Sequence, residues 1–78
     1  MDDVRAIKLI MDELVRARAK HPHWPDDPVH QAAIVAEESG ELVKAAVEFA
    51  YSEGGTDWDI QRKAIHTAAT CVRLLVGR

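Results

Sequence analysis

Glu37, Glu38 and Glu41 place three carboxylates within five residues, in a segment otherwise rich in small apolar side chains, Val35-Ala36-Glu37-Glu38-Ser39-Gly40-Glu41-Leu42. Hard oxygen donors at this spacing suit Mg²⁺ or Mn²⁺, and magnesium characteristically keeps waters and is shared between a few carboxylates and substrate phosphates. On a helix that turns about 100° per residue, Glu37 and Glu41 fall on a polar stripe with His30, Lys44 and Glu48. Glu38 falls instead among Ile34, Leu42, Ala45 and Phe49, on an apolar face where an unpaired charge is costly. Two readings fit. A divalent cation would answer all three charges at once, against a like-charge repulsion of a few tenths of a kcal/mol per helical pair. Alternatively, the cluster is a solvated acidic patch with Glu38 snorkelling at a helix edge.

Other side chains with chemical potential are more scattered. His30 shares the azimuth of Glu37 about two turns earlier, where it would approach a bound phosphate, accept a proton, or simply belong to the polar stripe. Lys44 and Lys63 are candidate phosphate contacts, and Trp24 would either stack on a base or cover the end of a small core. His66 groups with Asp59, Arg62, Lys63, Thr70 and Arg73 on a face expected to be solvated, whereas Cys71 occupies an apolar slot and is expected to be inert packing. His21 and His23 lie in a proline-rich turn, and no Cys or His pair has a recognised zinc spacing.

Three helices must position these groups. Asp2 or Asp3 can cap a first helix over about 3–20, whose apolar residues Val4, Ile7, Ile10, Met11, Leu14 and Ala17 recur at helical spacing. All three prolines lie in the connector from His21 to Pro28, which closes with Asp27 as an N-cap and Pro28 at the first helical position. The second helix is expected over about 28–52, ended by Glu53-Gly54-Gly55. Thr56 and Asp59 form a variant capping box for a third helix over about 57–76, with Ile60, Ala64, Thr67, Cys71 and Leu74 expected to face inward.

Seventy-eight residues make a single all-α domain, 1–78, with no repeat or linker to divide it. Apolar residues are 47% of the chain, yet it has one Phe, one Tyr and two Trp, so the core must come from small aliphatic side chains in closely approaching helices. A chain this short struggles to enclose a sufficient core. The second helix is apolar on two sides, Ala32, Ala33, Ala36, Val43, Val47 and Ala50 opposite Ile34, Leu42 and Phe49, so subunits are expected to pair through it as a dimer or tetramer. A net charge of −3 with interleaved signs offers no basic stripe for nucleic acid. A lone cysteine fits a reducing compartment, Met1-Asp2-Asp3 has the look of neither a signal nor a transit peptide, and no apolar run is long enough for a membrane. The cytoplasm is the expected location.

The segment Glu37-Glu38-Ser39-Gly40-Glu41-Leu42-Val43-Lys44-Ala45 resembles the Glu-Glu-x-x-Glu motif of the MazG-like, all-α nucleoside triphosphate pyrophosphohydrolases, a superfamily that includes dimeric dUTPases and phosphoribosyl-ATP pyrophosphatases. The likeness extends in helical order from about Pro28 to Val76. It implies a helical bundle completed by oligomerisation. It also implies that Glu37, Glu38 and Glu41 are ligands of Mg²⁺ or Mn²⁺, with Glu38 and Glu41 in the catalytic set, and that the reaction is hydrolysis of a nucleoside triphosphate to monophosphate and pyrophosphate. The family adds a Glu-x-x-Asp pair from the following helix. Here Ala64 and Thr67 stand at those two positions, so the second acidic pair is missing and Thr67 offers only a hydroxyl. A MazG-like helical oligomer without catalysis, kept as a binding or assembly module, is therefore the competing expectation.

Overall fold

The computed structural model describes residues 1–78 and is entirely helical: α1 Asp3–Lys20, α2 Pro28–Tyr51 and α3 Asp57–Val76. Local chemistry fixes each start. The Asp2 carboxylate accepts from the Arg5 backbone N–H at 2.8 Å, that of Asp27 accepts from Val29 N–H at 2.9 Å ahead of Pro28, and the Thr56 hydroxyl accepts from Asp59 N–H at 3.1 Å. Each bond satisfies one of the donors that a helix start leaves free. Between α2 and α3, Gly55 passes so close to the backbone of Glu48 and Phe49 that a Cβ there would collide with it, which explains a glycine at the reversal.

Both α1 and α2 pack against α3 and not against each other, so the last helix is the central one. The buried apolar core is small: Leu14, Ala45 and Ala69. On α2 the inward line is Gln31, Ile34, Glu38, Leu42 and Ala45, at helical spacing, and Glu38 therefore sits on the packed side of its helix while Glu37 and Glu41 do not. Two polar side chains tie the connector down. Gln31 is 1% exposed and donates to the Pro25 carbonyl at 2.6 Å, and Arg73 is 8% exposed and donates to the His21 carbonyl at 2.8 Å.

The faces of α3 differ from the sequence expectation. Ala64 and Cys71, expected inward, are exposed, whereas Arg73 is buried and His66 and Lys63 are partly covered. Because α3 is flanked on two sides, its polar side is drawn inward. Long side chains bury their stems and keep a polar head at an opening. On α1, likewise, Val4, Ile7 and Met11 point outward, and the packed line runs through Ile10, Glu13, Leu14 and Ala17. No helix is long and apolar enough to cross a membrane.

Candidate functional site

The three glutamates do not converge. Glu37 is exposed. Glu41 accepts from the Lys63 ammonium at 3.0 Å, an ion pair across α2 and α3 that holds its carboxyl below the usual value through that hydrogen bond and the adjacent charge. Glu38 is partly buried, and its Oε2 is closed off from solvent with no hydrogen-bond partner. No three of the chain's His, Cys, Asp or Glu side chains form a group able to hold a metal ion. The trio thus does not fit a single three-carboxylate cage as arranged. One member fits part of the requirement, because a magnesium ion often takes only one or two protein carboxylates when phosphates and water complete its shell.

Glu38 faces a recess of about 320 Å³ enclosed by all three helices and the connector. Its walls carry Glu13 and Arg16 from α1, Glu38 from α2, His66 and Arg73 from α3, and Trp24 from the connector. Within it, Arg16 grips Glu13 with two parallel bonds of 2.6 and 2.7 Å, and His66 Nε2 lies 3.6 Å from the same carboxylate. Arg73 stacks over the Trp24 ring, 4.8 Å from its centroid. Trp24 also abuts Gly77, where a Cβ would press on the indole, so this residue closes the end of α3 against the connector. The recess is therefore lined by two guanidinium groups, imidazoles and the Glu38 carboxylate, one oxygen of which is shut from solvent. Phosphates are bound by such cations, and the carboxylate calls for a cation or a donor carried by the ligand.

Other candidates lie elsewhere. Lys44 and Lys63 line a shallow cleft between α2 and α3 with Glu41, Glu48, Asp59 and Arg62, apart from the recess. His30 is exposed and lines no hollow. The Thr67 hydroxyl donates its proton to the Lys63 carbonyl at 2.8 Å, which leaves it only as an acceptor, and Thr67 does not line the recess. Ala64 borders an apolar hollow of about 380 Å³ on the α1 side with Met1, Ala6, Ile10 and Ala68, not the recess. Cys71 is exposed rather than packed. Sequence reasoning missed Glu13, Arg16 and Arg73 as recess residues. For Glu13 a signal existed, since it sits between Ile10, Leu14 and Ala17 on the packed stripe of α1.

The Glu13 grouping carries a pH dependence. Its carboxyl is held below the ordinary 4.5, mainly by the Arg16 hydrogen bonds, opposed by burial and aided by the nearby His66. A carboxyl with a depressed folded-state value stabilises the fold above its unfolded value and loses that contribution as pH falls through the folded one. Stability should therefore hold down to about pH 4.5 and fall below it. Glu13→Gln should flatten this acid limb in circular-dichroism melts, while Glu41→Gln, at an exposed pair, should leave it nearly unchanged. An acid limb identical in wild type and Glu13→Gln would refute the assignment.

These features define a small all-α chain of three helices with a polar recess at their junction. Comparison with protein-family models, with curated proteins and with solved structures yields no match to this chain.

Proposed function

We propose that the protein is a MazG-like nucleotide pyrophosphohydrolase that hydrolyses a nucleoside triphosphate to monophosphate and pyrophosphate with Mg²⁺ or Mn²⁺. The observation that carries this reading is Glu38, which lines the same recess as Arg16, Arg73 and His66 and has one carboxylate oxygen, Oε2, buried without a partner. A carboxylate in that position is costly without a partner. Glu38 would hold the metal, which supplies polarisation of the phosphoryl oxygens and of water when bound. The chain's own contribution is positioning: guanidinium groups place the phosphates, and Trp24 forms part of the wall beside them. Glu41 could join only by releasing Lys63, and Glu37 lies outside.

The Lys63–Glu41 pair and the missing second acidic pair at Ala64 and Thr67 favour a second reading, a nucleotide-binding module of the same fold without turnover. A panel of nucleoside triphosphates with Mg²⁺ or Mn²⁺ distinguishes them. Pyrophosphate release from one or more of them supports the first. No release from any, with no heat of metal binding by calorimetry, removes it.

The working form is an oligomer. A monomer of 8.7 kDa is expected to expose about 4,700 Å², but this chain exposes 5534 Å². The excess of about 800 Å² is near the area that one subunit contributes to a standard interface. The uncovered surface includes the α2 face with Val43 and Val47 and the α1 stripe with Val4, Ile7 and Met11. Sedimentation should give a dimer or tetramer at micromolar concentration, and Val43→Glu with Val47→Glu should dissociate it if α2 is the seam. A stable wild-type monomer would contradict this.

A further inference from the structure

Arg73 is the most deeply buried charged residue of the chain, 8% exposed, and makes no ion pair. Its one protein hydrogen bond goes to a neutral carbonyl, that of His21, while one face of the guanidinium lies on Trp24. A buried cation without a counter-ion is costly, and the usual remedies are a carboxylate partner or a bound anion. The carboxylates in the recess do not serve: Glu13 is taken by Arg16, and Glu38 lies beyond ion-pair distance. Yet Arg73 borders the recess of about 320 Å³, which also holds Arg16 and His66.

We propose that Arg73 is the anion-receiving group of the recess, binding a phosphoryl or pyrophosphoryl group of the ligand, with Arg16 and His66 at its rim. The inference rests on the nucleotide reading for the identity of the ligand but requires neither metal nor hydrolysis. The stack on Trp24 and the bond to His21 hold the guanidinium plane fixed, so little side-chain freedom is lost when an oxyanion arrives. Glu38, sharing the recess, opposes a bare anion and is relieved only when a cation accompanies it.

The test uses inorganic pyrophosphate as probe, in EDTA, on the full chain. Trp58 is half exposed on α3, so Trp58→Phe leaves Trp24 as the sole indole reporter beside Arg73. Saturable change in Trp24 emission, matched by calorimetry, is expected. Arg73→Lys should weaken binding about tenfold or more, as for loss of a charge-assisted bond, and Arg16→Gln by a smaller factor. Glu38→Gln should tighten it, the opposite of its expected effect on turnover. Arg16→Gln and Glu38→Gln carry the comparison even where Arg73→Lys fails to fold. Absence of saturable pyrophosphate binding to the Trp58→Phe protein, or binding indifferent to Arg16→Gln and Glu38→Gln, overturns the inference. Pyrophosphate binding without turnover of any triphosphate would leave it standing and remove the hydrolase reading instead.

Discussion

If the protein releases pyrophosphate as proposed, Glu38→Gln should cost at least about 100-fold in that release, about 2.7 kcal/mol of transition-state stabilisation, and at the same time make the protein more stable. Both effects have one origin. The Oε2 of Glu38 is shut from water with no donor to satisfy it, so the folded chain leaves one oxygen of this carboxylate unsatisfied. An amide keeps the shape and removes the charge, which should raise stability by about 1 kcal/mol. For a domain of this size that is a rise of about 4–8 °C in Tm. On the hydrolase reading the gain comes at the expense of function, because a neutral group would no longer attract a divalent cation to the phosphates. Thermal melts and a pyrophosphate assay on the same preparation test the pair. Lower stability in Glu38→Gln would show that the carboxylate serves the fold, and unchanged turnover would remove it from the reaction.

The contrast between Glu38 and its neighbours also marks what a sequence can convey. Periodicity alone separates Glu38 from Glu37 and Glu41, because one helical turn decides which of adjacent residues meets the core, and the packed line Gln31, Ile34, Glu38, Leu42, Ala45 follows that rule. Helix limits are equally legible, since the Asp2, Asp27 and Thr56 caps and the Gly54-Gly55 reversal act through bonds spanning a few residues. The partners of the glutamates are another matter. Lys63 reaches Glu41 over 22 positions, and Arg73 reaches the His21 carbonyl over 52. Such contacts depend on which helix lies at the centre, and apolar stripes do not reveal that. On α3 the apolar residues Ala64 and Cys71 are left outside while Arg73 is enclosed, an inversion that arises because α3 has neighbours on two sides. Periodicity identifies an apolar face; it does not tell whether that face meets the chain's own core or another subunit.

Leu14→Ala should be the most destabilising single replacement in the chain. Leu14 is 1% exposed and is the only large aliphatic side chain fully enclosed; the other buried apolar residues are Ala45 and Ala69, which have little bulk to collapse into a void. Truncating a buried leucine costs about 2–5 kcal/mol, with the upper part of that range where surroundings cannot relax. At about 0.05–0.15 kcal/mol per residue, a chain of 78 residues has only about 4–12 kcal/mol to lose. The variant should therefore melt far below wild type or fail to fold. Val4→Ala on the same helix supplies the contrast, since Val4 is 79% exposed in the single chain. Its effect on folding should stay within about 0.5 kcal/mol, and any larger effect should vary with protein concentration, because it would arise from association. Melts at two concentrations separate the cases: a concentration-independent loss for Leu14→Ala places the core between α1 and α3. A loss below about 1 kcal/mol there would mean that this core is not the one the chain uses, and that the helices pack chiefly across the subunit boundary.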